Sequence, residues 1–317
     1  VVSTAEQAIN QPINIAIIGV GKIARDQHLP AIAADPRFNL MATVSGHGGI
    51  AGVPNFATIG GLIGAKPAVD AVAICTPPQV RGDIARMAIA AGYAVMLEKP
   101  PAATLSDFAD IKRRATAKGV SLFATWHSRH AAMVPAARAW LAERVVTGGH
   151  IAWREDVRRW HPGQDWLWAP GGLGVFDPGI NAFSILTEIL PEQPIVSEAT
   201  LAIPANGHTP IAAQLKLKTG TATLAVDLDF LQTGPQRWDI ELDTACGHRL
   251  HLREGGSRLS VDDGPVQSGI DAEYPALYAR FAELVASARS EADAAPLRLV
   301  ADAMLIGRMH RVDAFIE

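Results

Sequence analysis

The apolar run INIAIIGV, Ile13 to Val20, passes without a break into Gly19-Val20-Gly21-Lys22-Ile23-Ala24, and a helical segment, RDQHLPAIAAD, follows. A strand that empties into a tight glycine turn and then a helix is the opening unit of an α/β fold. The pattern repeats. FNLMATVS, DAVAICT, YAVMLEK and SLFATW each read as a buried strand, with helical stretches such as VRGDIARMAIAAG between them. Strands of near-continuous apolar character that alternate with helices predict a parallel sheet covered on both faces, the doubly wound α/β (Rossmann) arrangement.

The rhythm changes near residue 128. HAAMVPAARAWLAERV reads as a helix, and GHIAWREDV begins a series of strands. ATLAVDLDFL, WDIELDTAC, HRLHLRE and SRLSVDD alternate apolar and polar residues, which predicts a large, mostly antiparallel sheet with one open face. Two amphipathic helices close the chain, one striped by Tyr274, Leu277, Tyr278, Phe281, Leu284 and Val285 and the other by Leu297, Val300, Ala301, Met304 and Leu305. Stripes of this kind are core. The expected division is a nucleotide-binding α/β domain over 1–127, its first eleven residues a loose extension, and an α+β domain over 128–317.

Composition excludes several classes. At 317 residues with a net charge of −4 and no dense Lys/Arg cluster, the chain has no footprint for nucleic acid. No apolar run reaches the ~18 residues of a membrane span, and VVSTAEQAIN lacks the charged start and apolar core of a signal peptide. The two cysteines, Cys75 and Cys246, show no disulfide spacing, and Cys75 inside DAVAICTPP reads as a buried small hydrophobe. Together these predict a cytoplasmic protein with a small-molecule substrate. The exposed sheet face points to a homodimer, and no metal site is read.

In the glycine motif, Gly19 permits the tight turn, Gly21 lets the backbone approach a pyrophosphate, and Ala24 allows close helix–strand packing. The helix start offers free N–H groups to phosphate. NAD enzymes usually end their second strand in Asp or Glu, which binds the adenosine ribose. Here the strand ends Val44-Ser45-Gly46-His47-Gly48, with no carboxylate. Ser45 and His47 can donate hydrogen bonds to a 2′-phosphate, while the usual arginine is missing. NADP is therefore the expected cofactor, with NAD tolerated. At the end of a later strand stands Glu98-Lys99-Pro100-Pro101, a lysine at a carboxyl edge in a loop stiffened by prolines.

GVGKIA, the strand-end Thr76-Pro77-Pro78, EKPP and GGLGVFDPGIN occur in the order and at the approximate spacing of the glucose-fructose oxidoreductase / inositol dehydrogenase (Gfo/Idh/MocA) family, which the chain resembles. KIARDQHLPAI, TWHSRHA, EDVRRWHPGQDW and FDPGIN look like its bacterial D-galactose / L-arabinose 1-dehydrogenase branch. The resemblance covers nearly the whole chain. It implies oxidation of an aldose such as D-galactose, L-arabinose or D-fucose at its anomeric carbon to the aldonolactone, with reduction of NADP or NAD. It also implies a cofactor-binding set of Gly19, Gly21, Lys22, Ile23, Ala24, Ser45, His47, Thr76, Pro77, Pro78, Glu98 and Lys99. A sugar- and dinucleotide-sensing regulator without turnover, and a dehydrogenase for another sugar such as D-xylose, are the alternative readings.

The segment Trp153 to Trp168 holds four of the seven tryptophans, interspersed with Glu155, Asp156, Arg158, Arg159, His161 and Asp165. A sugar needs a flat apolar surface for its C–H face and directional donors and acceptors for its hydroxyls. Trp160 and His161 are expected to touch the ligand, with Glu155, Trp166, Trp238 and His127 as further substrate contacts, while Trp153 reads as core. Lys99, Asp177 and Asn181 are the catalytic candidates. A free lysine, with a pKa of about 10.4, is a poor base unless burial and a neighbouring positive ring lower it. The wider family commonly reads GGGxLxDxGxH where this chain has Leu173 and Asn181, so a titratable histidine is absent at 181. Lys99 and Asp177 are then expected to share the proton transfer, with Asn181 orienting the sugar. As local structure, Asp177-Pro178 reads as a helix N-cap followed by proline in the first helical position.

Overall fold

The structure is a computed structural model that describes residues 11–317. The expected loose extension falls almost wholly outside the described residues. The chain forms two compact units, one made of the residues up to Thr125 together with Tyr274–Asp293, the other of Trp126–Glu273 with Ala294–Glu317.

The first unit is built on six parallel strands: β1 (Ile13–Ile18), β2 (Phe38–Val44), β3 (Asn55–Phe56), β4 (Ala71–Ile74), β5 (Ala94–Leu97) and β6 (Leu122–Ala124). Their spatial order is β3-β2-β1-β4-β5-β6, doubly wound as the sequence predicts. Every residue of β4 and β5 is buried, because such strands meet side chains on both faces. The helices between them are α1 (Leu29–Ala34), α2 (Ile59–Ala65), α3 (Pro78–Ala91) and α4 (Leu105–Lys118). Thr58 and Thr104 cap α2 and α4, each accepting a hydrogen bond from a backbone N–H three residues on. Ahead of α1 the chain passes through a π-helical stretch, Ala24–His28, which carries His28 fully into the interior. Cys75 is half-buried against the core and not enclosed, since it lies just beyond the end of β4.

The second unit carries α5 (Val134–Leu141), α6 (Val157–Trp160), α7 (Phe176–Ile189) and a nine-stranded sheet. Its strands are β7 (Val146–Arg154), β8 (Ile195–Pro204), β9 (Ala212–Thr219), β10 (Ala222–Asp229), β11 (Arg237–Thr244), β12 (Arg249–Arg253), β13 (Arg258–Val261), β14 (Gln267–Ser268) and β15 (Arg308–Val312). They lie in the order β14-β13-β12-β11-β7-β10-β9-β8-β15, antiparallel except where β7 meets β10 and β8 meets β15. Burial alternates residue by residue along β9 and β10, so one face packs against α7 and its neighbours while the other is open. Among the described residues no helix is long and apolar enough to cross a membrane.

Two helices close the chain, α8 (Glu273–Ala286) and α9 (Ala295–Ile306). The sequence reading runs the second domain unbroken to residue 317, but the stripe of α8 packs into the parallel-sheet unit. Tyr274, Leu277, Tyr278, Phe281 and Leu284 join Ile15, Ile17, Phe38, Met96 and Phe123 in one core. Phe281 stacks on Phe38 at 6.4 Å and on Phe123 at 6.2 Å between ring centres. Just beyond α8, Glu291 exchanges backbone hydrogen bonds with Leu122 and Ala124 and covers the exposed edge of β6. Helix α9 returns to pack on α7 and β8. Replacing the fully buried Phe281 by Ala is expected to destabilise the first unit by about 3–5 kcal/mol in denaturant unfolding; a loss below about 1 kcal/mol would contradict the core assigned to α8.

Candidate active site

The glycine turn after β1 is shaped for close approach. Gly19 has φ +91°, and a Cβ there would stand 2.8 Å from the Thr76 nitrogen, so only glycine fits beside the end of β4. A Cβ on Gly21 would meet nothing within 4 Å, which leaves the outer side of the turn open. The buried Thr76 hydroxyl finds no hydrogen-bond partner among the described residues. An open turn and an unsatisfied hydroxyl at the carboxyl edge of the sheet fit a dinucleotide. Pro77 and Pro78 start α3, Ile23 packs against the core, and Lys22 forms an exposed ion pair with Asp26.

At the end of β2, Ser45 accepts a hydrogen bond from the His47 backbone (3.2 Å), and His47 is exposed. The sequence reading finds no arginine here, yet the structure supplies one from another element. Arg25, just past the glycine turn, reaches the Gly49 carbonyl at 3.4 Å. Its position in RDQHLPAIAAD gives no hint of this, because the approach depends on how β2 folds back beside the turn.

Glu98, expected to bind cofactor, is instead turned inward, and its carboxylate is buried. Its Oε1 accepts from the Tyr274 hydroxyl (2.8 Å) and lies 3.0 Å from His28 Nε2, while Oε2 accepts from the Lys99 backbone N–H at 2.9 Å. His28 Nδ1 stands 2.8 Å from the Tyr278 hydroxyl. Burial alone would lower the His28 pKa, yet it lies well above the ordinary value, raised by Cys75, by Tyr278 and by the hydrogen bond to Glu98. Burial pushes the Tyr278 hydroxyl up to about 12. The Arg81 guanidinium, also buried, donates to the carbonyls of Thr76, Glu98 and Pro100.

In the second unit five of the expected residues come together. Glu155 follows β7 and is buried; its backbone N–H is tied to the Asp229 carbonyl at 2.9 Å. Its Oε2 accepts from the Trp238 indole (2.9 Å), and its Oε1 is 3.2 Å from His161 Nε2. The other nitrogen of His161, Nδ1, is 3.8 Å from Asp177 Oδ2. One imidazole thus sits between two buried carboxylates and rests against Phe230. Trp160 packs edge-on to Trp238 at 5.4 Å, and its indole N–H donates to Gln236. Asp156 caps the short helix α6, which carries Trp160, and His161 follows directly after it. Trp153 is core, as expected.

Asp177 is not an N-cap. Helix α7 begins at Phe176 after Val175, and Asp177 falls inside its first turn. The cause is the glycine run. Gly174, with φ +53°, turns so close to Pro210 that a Cβ would stand 2.2 Å from its carbonyl oxygen, and the helix starts two residues earlier than expected. The aspartate side chain does not cap the helix and lies toward His161. Asn181 is half-buried one turn further along α7. His127 sits on a short 3₁₀ turn after β6 and pairs with Glu273, and Trp166 lies on another such turn.

A doubly wound sheet headed by this glycine turn, in a chain that adds a second unit with a compact acid–imidazole–acid cluster, defines a dinucleotide-dependent oxidoreductase. Comparison with known proteins narrows the class. The model of the Gfo/Idh/MocA oxidoreductase family, with its NAD-binding Rossmann fold, matches residues 13–125. The galactose 1-dehydrogenase of Pseudomonas fluorescens is 43% identical over 309 residues, 97% of this chain and 100% of that protein. A crystal structure of a D-galactose 1-dehydrogenase from Rhizobium etli superposes with a TM-score of 0.91 at 50% identity, covering 96% of this chain and 98% of that one. A 3-ketoreductase from Actinomadura kijaniata, solved with NADP and TDP-benzene, shares the fold at a TM-score of 0.82 and 16% identity over 95% of this chain and 100% of its own. The chain belongs to the Gfo/Idh/MocA oxidoreductase family.

The raised His28 pKa has a measurable consequence. A group whose pKa is higher folded than unfolded stabilises the fold fully below its unfolded value, near 6.5, and that contribution is lost as pH rises through the folded value. The stability gap between the native chain and His28→Gln is expected to narrow as pH is raised from about 6 to about 9 in thermal melts. A constant or widening gap would show that His28 is not held as the imidazolium.

Proposed function

We propose that this chain oxidises an aldopyranose at its anomeric carbon to the aldonolactone, with NADP as the preferred acceptor and D-galactose, L-arabinose and D-fucose as the sugars. The observation that carries the reading is the Glu155–His161–Asp177 cluster walled by Trp160 and Trp238. It offers a sugar an aromatic wall for its C–H face and fixed acceptors for its hydroxyls. Similarity to the galactose 1-dehydrogenases over nearly the full chain supports the same reading. D-Galactose and L-arabinose differ by a hydroxymethyl group, and one apolar contact of that size discriminates only ~10–200-fold, so one pocket serves both.

The reaction takes a hydride from the anomeric carbon and a proton from the hydroxyl on it. When bound, the nicotinamide cofactor accepts the hydride. Lys99 and Asp177 share the transfer of that one proton, and Asn181 orients the sugar. The histidine that the wider family carries at the position of Asn181 has a counterpart in His161, which stands beside Asp177 from a different element and can pass a proton on toward Glu155. Preference for NADP is supported by the lack of a carboxylate after β2 and by Ser45, His47 and Arg25 around that loop.

Incubating the protein with NADP or NAD and a panel of aldoses, and following the absorbance of the reduced cofactor, tests the reading. Reduction with D-galactose and L-arabinose is expected, and no reduction with any sugar would overturn it. Arg25→Ala is expected to weaken NADP binding about tenfold, the cost of losing one hydrogen bond between charged groups, with NAD binding unchanged in the same fluorescence titration.

A further inference from the structure

Around Lys99, four hydrogen bonds fix the peptide backbone. The Glu98 carboxylate accepts the Lys99 N–H at 2.9 Å. Arg81 donates to the carbonyl of Glu98, on one side of the lysine, and to that of Pro100, on the other. The Glu98 peptide N–H is bound to the Ile74 carbonyl at 3.1 Å, which continues the pairing of β4 with β5. Glu98 is itself held by two donors from distant parts of the chain, Tyr274 on α8 and His28 ahead of α1.

This arrangement is costly as a stabilising device. Burying a carboxylate, an imidazole and a guanidinium forfeits their hydration, and a well-packed apolar set of equal volume is as stable or more so. What the buried charges supply is direction. A carboxylate with two fixed donors on one oxygen has only its other oxygen to offer, and that one takes the Lys99 N–H. Turnover is sensitive to such placement, since a displacement of about 1 Å in a reacting group can cost ~10²-fold in rate.

We propose that Glu98, oriented by Tyr274 and His28, is a positioning residue for Lys99. Its buried carboxylate sets the backbone from which the lysine side chain projects. The proposal rests on the reading of Lys99 as a proton-transfer group, and α8 becomes a functional part of the nucleotide-binding unit through its tyrosine as well as a cover for the sheet.

The test uses Tyr274→Phe, which removes one hydroxyl and keeps the ring, with Glu98→Gln as a second variant. Three quantities are measured in each: kcat with D-galactose, the Kd for NADP by fluorescence, and hydrogen exchange at the Lys99 amide by mass spectrometry. Expected for Tyr274→Phe are a fall in kcat of about tenfold, an NADP Kd within about twofold of the native value, and faster exchange at Lys99. On a Lys99→Arg background the same change should lower kcat less than about twofold, because there is no lysine left to place. Equal losses on both backgrounds, a Kd that worsens in step with kcat, or unchanged exchange at Lys99 would each overturn the proposal. Lys99→Ala serves as the separate control. If it retains turnover while the exchange result holds, the catalytic reading of Lys99 falls and the structural link from Glu98 to Lys99 stands.

Discussion

A parallel sheet of short strands cannot leave either face in water. In β4 and β5 all four residues are buried, so the sheet depends on cover from above and below. The helices that alternate with its strands supply part of it. Much of the rest comes from the aromatic stripe of α8, which the chain delivers only after eight of the nine strands of the second sheet, β7 to β14, have been laid down. Without Phe281 between Phe38 and Phe123, one face would lose its thickest cover. The same helix brings Tyr274 to Glu98 and Tyr278 to His28, so cover for the sheet and order at the lysine loop rest on one packing event.

Both units bury a carboxylate and satisfy it in the same manner. Glu98 takes a tyrosine hydroxyl and an imidazole; Glu155 takes an indole and an imidazole. Aromatic donors suit the task because their rings pack as hydrophobes while one polar atom reaches the charge. A lysine or arginine in the same place would bring a long, mobile stem. The difference lies in what the free side of each cluster meets. The Glu98 cluster ends on a backbone N–H and a tyrosine. In the Glu155 cluster the imidazole continues to a second carboxylate, Asp177.

Much of this was legible in the residues. Five of the six strands of the first unit, all but β3, declared themselves by continuous apolar runs, and the glycine turn by its position between strand and helix. The alternating strands β10 to β13 followed from period two. What stayed hidden depends on tertiary approach. Strands β8, β9 and β15 were not singled out, and the partnership of α8 could not be, because a helical stripe shows that it is buried and not against what. The cap assignment at Asp177 failed because the helix begins two residues early, directly after Gly174 turns against Pro210. Glu155, Trp160, His161, Trp238 and Asp177 were each picked out by residue type, but the order Glu155–His161–Asp177 exists only once β7, α6 and α7 are placed. Arg25 was missed because the carbonyl it reaches, that of Gly49, lies in a loop more than twenty residues away in sequence.

The late arrival of α8 has a consequence for how the protein is made. During synthesis the strands β1 to β6 emerge first, yet the residues that complete their core lie at 274–284. The N-terminal unit therefore cannot finish folding when its own strands have emerged, as the first domain of a growing chain generally does, but only once α8 has been made. It waits, with an uncovered apolar face, while some 150 further residues leave the ribosome at roughly 5–20 per second, an interval on the order of ten seconds. For this chain the period of greatest exposure to chaperones, and to aggregation, is written into the position of a single helix.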